Sequence, residues 1–160
     1  MLNEILKILE RDARVTAEQI STMTGMSSAE AAKLIREAEI DRLILRYKTV
    51  INWDKVKNEQ VRALIEVRVT PQKDVGFDAI AERIYHFPQV RSVYLVSGTY
   101  DLFVMVAGKT NREIADFVSQ KLSHIEGVQG TVTQFILKRY KEDGEIMEGE
   151  EGVRRQPVVL

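Results

Sequence analysis

Residues 97 to 101 read Ser-Gly-Thr-Tyr-Asp and join two apolar, β-branched and aromatic runs within residues 90 to 107. Runs of this kind bounded by a glycine-containing turn predict two antiparallel strands. The junction gathers two hydroxyls, a phenol, a carboxylate and a bare glycine backbone at one sheet end. Such a set, where two apolar surfaces would meet, can form the mouth of a small-ligand site. Ser97, Gly98, Thr99, Tyr100 and Asp101 are therefore candidate ligand residues. They are equally compatible with a plain hairpin turn, in which Asp101 caps the turn.

A second candidate lies near the N-terminus. Ser27 and Glu30 have capping-box spacing and open a helix running to about residue 41, with Ala31, Leu34, Ile35 and Ala38 on one stripe. Before it, Thr16 with Gln19 opens another helix, and Gly25 closes that one. Residues 2 to 11 form a first helix with Leu2, Ile5, Leu6 and Leu9 on one face. Two helices joined across residues 24 to 27 make a helix-turn-helix layout, a shape shared with small bundles that bind no DNA. Ser27, Ser28, Lys33, Arg36 and Arg42 are the candidate DNA-contacting residues. The charge balance tempers this reading: residues 1 to 60 carry ten Lys/Arg against ten Asp/Glu, whereas phosphate neutralisation needs local positive charge.

Other chemistry is poorly represented. The 160-residue chain has no cysteine and two histidines, His86 and His124, which excludes disulfides, thiol catalysis and Cys-based zinc sites. No nucleophile–base pair, metal-ligand cluster or phosphate-cradling loop stands out, so no enzyme activity, metal or cofactor is expected. No apolar run reaches membrane-spanning length, and residues 1 to 4 do not resemble a secretory signal. A cytoplasmic protein is expected.

The remaining elements follow in order. Residues 47 to 52 read as a short extended segment leading into a polar linker, with Trp53 as a packing anchor. Residues 63 to 69 predict a strand stopped by Pro71, and residues 75 to 85 a helix carrying Phe77, Ile80, Ala81 and Ile84. After the central hairpin, Thr110 with Glu113 opens a helix bearing Ile114, Phe117, Val118 and Leu122. Residues 128 to 139 predict a final strand. The order is βαββαβ, with a weak repeat in which His86 and His124 each end a helix before a strand. Two such halves make a ferredoxin-like sandwich with both helices on one face. The opposite face, apolar in the central hairpin, calls for a second copy of the chain. Residues 141 to 160 carry six acidic and three basic residues and read as a mobile tail, with residues 157 to 160 a possible edge strand.

This arrangement resembles the Lrp/AsnC (feast/famine) family of transcription regulators. The resemblance spans about residues 2 to 140. It rests on Ile5 to Leu9 with Asp12-Ala13-Arg14, on Gly25-Met26-Ser27, on Leu43-Ile44 with Tyr47-Lys48-Thr49-Val50-Ile51, and above all on Val96-Ser97-Gly98-Thr99-Tyr100-Asp101-Leu102. It implies an α+β chain: a winged/three-helix helix-turn-helix domain over 1–46, a linker strand and hinge over 47–60, a ligand-binding and oligomerisation domain over 61–140, and a tail over 141–160. It also implies a homodimer assembling into an octamer or similar ring. An amino acid or related metabolite would bind near residues 97 to 101, and double-stranded DNA would be the other partner. The third helix departs from the family pattern. It is Ala-rich, lacks the usual Ser-Pro start, and places Glu30 and Glu37 among its cations. A ligand-binding oligomer with weak or lost DNA binding is therefore the alternative function.

Overall fold

The computed structural model describes residues 1–56, 60–70 and 76–148. Its contacts divide the chain into two compact units, Met1–Val50 and Ile51–Leu160.

The first unit holds helices α1 (Leu2–Arg11), α2 (Ala17–Thr24) and α3 (Ser28–Ile40). Ile5, Leu9, Ile20, Met26 and Ala31 form its core, and Val15, Leu34, Ile35 and Ile44 pack around them. Caps set the helix boundaries. Thr16 and Gln19 make the reciprocal capping box expected of them. Ser27 accepts from the Glu30 amide, which is half of the expected box. The Ser21 hydroxyl donates to the Met26 carbonyl at 2.6 Å, holding the turn between α2 and α3 closed. Ala31 and Ala38 are buried on α3, and their small side chains let the other helices approach. The three-helix form of the expected domain is the one observed. Residues 44 to 52 carry no strand pairing.

The Tyr47 hydroxyl donates to Glu39 Oε1 at 2.8 Å, returning the chain to the end of α3. Partial burial and the adjacent Glu39 carboxylate push the phenol up to about 12. Both causes favour the neutral phenol in the folded state, so the stability it adds is present below the usual tyrosine value near 10 and is lost as pH rises through about 12. Ultraviolet titration should show a tyrosine that ionises late. Tyr47→Phe should remove that transition, and Glu39→Gln should lower it.

The second unit is a four-stranded antiparallel sheet of order β2-β3-β1-β4, built from β1 (Val61–Val69), β2 (Val90–Leu95), β3 (Leu102–Gly108) and β4 (Val128–Phe135). Helices α4 (Asp78–Tyr85) and α5 (Asn111–Gln120) supply Ile80, Ile84, Ile114 and Phe117 to a core with Ala63, Ile65, Val67, Leu102, Val104 and Val106. Alternation along β1 and β3 puts these strand residues on one sheet face and Leu64, Glu66, Phe103 and Met105 on the other. Register carries that second face outwards, pairing Phe103 with Tyr94 and Glu66 with Val132. Tyr94 and Val132 are exposed.

Several boundaries differ from expectation. The helix expected over 75–85 begins at Asp78, and Val75 and Pro71 lie outside the described residues. The last strand ends at Phe135 rather than at residue 139. At α5, Thr110 caps the Glu113 amide as expected, but the Glu113 carboxylate accepts from the Lys109 amide instead of completing a box. Both histidines follow helices as the repeat implied. His86 Nδ1 lies 2.7 Å from the Glu82 carbonyl, and His124 ends a 3-10 turn.

The clearest correction concerns residues 141 to 148, read from their charge as a mobile tail. They form a hairpin of β5 (Lys141–Glu142) and β6 (Glu145–Ile146), followed by a buried Met147. Asp143 and Gly144 both take positive φ, +47° and +87°, the geometry that an Asp-Gly hairpin turn requires. Residues 149 to 160, including the suggested edge strand, lie outside the described residues.

Candidate functional site

The loop from 96 to 101 closes one end of the sheet. The Val96 amide donates to the Asp101 carbonyl at 2.9 Å, and the Asp101 amide donates to the Val67 carbonyl at 3.1 Å. Asp101 Oδ2 accepts from the Val69 amide at 2.7 Å. One side chain thus ties the β2–β3 loop to the end of the central strand β1. The turn cap weighed as the alternative for Asp101 would hold the loop to itself, whereas the observed bond engages one carboxylate oxygen with a different strand. Asp101→Ala would leave the Val69 amide without that acceptor and should cost about 2 kcal/mol. A thermal melt would check it, with Asp101→Asn recovering part of the loss because its amide oxygen can still accept.

Beside this brace lies a cavity of about 270 Å³, lined by Glu66, the residues from Val96 to Tyr100, and Phe103. Four of the five ligand candidates, Ser97, Gly98, Thr99 and Tyr100, therefore share one concave wall, whereas Asp101 stands outside it. Nothing lies within 4 Å of where a Gly98 side chain would begin, so its backbone is open to an incoming group. The Arg68 guanidinium sits 5.3 Å from the centre of the Tyr100 ring, a cation–π contact at the cavity edge.

Three lining residues were not among the candidates, the apolar Val96 and Phe103 and the charged Glu66. The signal for Glu66 was present in the alternation of residues 63 to 69, which places it on the sheet face opposite the core. Only the β1–β3 register, pairing Glu66 with Phe103, brings it beside the loop. Among the described residues no group of three or more His, Cys, Asp or Glu side chains could hold a metal ion, and no helix is long and apolar enough to cross a membrane.

The second candidate surface is α3. Ser27, Ser28, Lys33, Arg36 and Arg42 are all exposed. Lys33 and Arg36, three residues apart, project from the face opposite the buried Ala31 and Ala38. Glu30 and Glu37 flank them, and Lys33 Nζ stands 3.7 Å from Glu37. Ser27 spends its oxygen on the helix cap but keeps a hydroxyl proton to donate. Arg42 follows the helix with φ +57°, so the chain turns sharply there.

A helix-turn-helix unit is thus followed by an α+β unit with a polar cavity at one sheet end. The family model for the Lrp/AsnC ligand binding domain matches residues 62–146. An uncharacterized HTH-type transcriptional regulator, YugG of Bacillus subtilis, is 47% identical over 146 residues, covering 91% of this chain and 88% of its own. The HTH-type transcriptional regulator FL11 of Pyrococcus furiosus is 28% identical, covering 89% of this chain and 91% of its own. Among solved structures, the Neisseria meningitidis transcriptional regulator NMB0573 in its L-Met complex superposes with a TM-score of 0.69 at 22% identity, covering 87% of this chain and 89% of its own. Escherichia coli AsnC gives 0.67 at 17%, covering 88% and 93%. The chain belongs to the Lrp/AsnC family of helix-turn-helix transcriptional regulators. Its relatives are transcriptional regulators, not enzymes.

Proposed function

We propose that this protein is a cytoplasmic DNA-binding regulator whose assembly and DNA affinity respond to a free amino acid. The cavity walled by Glu66, Ser97 to Tyr100 and Phe103 is the observation that carries the reading. Its lining combines a carboxylate, an open glycine backbone, two hydroxyls and an aromatic edge, as a zwitterion with a side chain requires. Glu66 accepts from the ammonium. Amides around Gly98, with Arg68 at the rim, receive the carboxylate. Asp101 holds the loop in place rather than meeting the ligand. The L-Met complex of the Neisseria relative makes L-methionine the first amino acid to try.

The chain acts as a homodimer that builds into a larger ring. The sheet face bearing Leu64, Phe103, Met105, Tyr94 and Val132 is the first contact, because among the described residues no helix of this unit covers it and a second copy would bury it. Paired α3 helices then enter successive major grooves, with Ser27, Ser28, Lys33, Arg36 and Arg42 towards the DNA and the three cations among them at phosphates. A ligand at a subunit boundary changes DNA affinity only through preferring one assembly over another. The neutral N-terminal sequence favours one other reading, an amino-acid-binding oligomer with little DNA affinity.

Sedimentation velocity with a panel of amino acids tests the proposal. An assembly whose size distribution moves with one amino acid supports it. A strict monomer, or an assembly indifferent to every amino acid, refutes it. A salt-dependent shift of duplex DNA separates the regulator from the oligomer that has lost DNA binding.

A further inference from the structure

The C-terminal hairpin makes contacts that a tail has no need for. Met147 is buried, its amide donates to the Tyr140 carbonyl, and its carbonyl accepts from Asn52 Nδ2 at 2.8 Å. Arg139, with a side chain only 12% exposed, bonds Asp54 through Nη2 at 2.7 Å. Glu142 of β5 pairs with Arg62 on β1 and stands 4.0 Å from Arg139. A buried backbone acceptor and a four-member charge network thus grip residues 52 to 54. Those residues follow directly on the boundary between the two compact units at Val50 and Ile51.

We propose that the hairpin is a clasp that fixes where the linker leaves the ligand-binding unit, and that this restraint sets the reach of the DNA-facing helices. The inference rests on the DNA-binding reading above. Its physical basis is effective concentration. Half-sites on DNA lie roughly 34–36 Å apart, one helical turn. Releasing residues 51 to 56 adds up to about 20 Å of slack in each chain, at roughly 3.3 Å per residue. Slack of that size dilutes the second α3 around its half-site without altering either contact. The clasp therefore favours two-site over one-site binding, and a change in the sheet unit reaches the linker through Arg62 and Glu142.

The test combines amide hydrogen exchange with DNA binding on the full chain carrying Asn52→Ala and Arg139→Gln. Asp54→Asn, at a more exposed position, serves as a milder second variant. Duplexes carrying one or two half-sites are first selected from a random pool with the wild-type protein. The expected result is at least 10-fold faster exchange at residues 52 to 56, with β1 and β3 unchanged. Affinity for two-site duplexes should fall about 10-fold while one-site affinity holds. Unchanged exchange at residues 52 to 56 overturns the clasp, as does faster exchange with an unchanged two-site to one-site ratio. A wild-type protein that selects no DNA refutes the regulator reading instead, and the clasp's role in reach falls with it.

Discussion

Replacing Lys33 and Arg36 together with glutamine is expected to weaken DNA binding about 100-fold and to flatten its salt dependence. Each phosphate contact contributes roughly 0.9 to the slope of log affinity against log salt, so a dimer losing two per chain should lose roughly 3 to 4 units. We assign this load to the two residues because they are the cations on the outward face of α3, opposite buried Ala31 and Ala38. The ion pair between Lys33 and Glu37, 3.7 Å apart and exposed, offers little resistance, since such pairs contribute about 0.5 kcal/mol. Removing the opposing carboxylates with Glu30→Gln and Glu37→Gln should act in the other direction and tighten binding several-fold. Fluorescence anisotropy across a salt series reads both effects, and circular dichroism shows whether α3 remains intact. An unchanged salt slope in the double glutamine variant would mean that α3 does not face the DNA.

Gly127→Ala should cost the second unit about 3 kcal/mol, the sum of a left-handed backbone penalty and overpacking. Gly127 holds φ +95°, and a methyl group there would lie 2.6 Å from Ile80 Cδ1 and 3.2 Å from the Thr70 carbonyl oxygen. Ile80 is buried in the core and has little room to turn away. The Thr70 oxygen is backbone, and the Thr70 amide already donates to the Gly127 carbonyl at 2.8 Å. The close approach of these two segments joins the end of β1 to the start of β4. Gly144→Ala isolates the backbone part: it has φ +87° with nothing within 4 Å, so only the backbone penalty of about 1 kcal/mol applies. Chemical denaturation should rank Gly127→Ala well below Gly144→Ala. Equal losses would place the cost in the backbone alone.

The elements legible in the sequence are those governed by local rules. Capping residues and apolar spacing give the helix starts at Thr16, Ser27 and Thr110, and the stripes of α1, α3 and α5. The succession of strands and helices along the chain follows from run length, apolar spacing and turn residues. Glu66 was not legible as a site residue, because its position depends on β1 pairing with β3 in a register that no local pattern specifies. Asp101 was legible as important but not in its role: a carboxylate at a strand junction can meet a ligand or a backbone amide, and the choice depends on where Val69 ends β1. The hairpin at residues 141 to 146 is hard to read from sequence because the acidic composition of residues 141 to 160 points to a solvated tail and opposes the Asp143-Gly144 turn signal. Its partner, Asn52, is remote in sequence.

Anisotropy of a fluorescent duplex selected by the protein, titrated with and without each amino acid, tests the central claim most directly. One amino acid should change the apparent DNA affinity at least 5-fold, the lower range of typical coupling between two sites. Glu66→Gln should abolish that change while leaving affinity without ligand intact. Affinity that no amino acid alters, or a response that survives Glu66→Gln undiminished, would contradict a regulator controlled from this cavity.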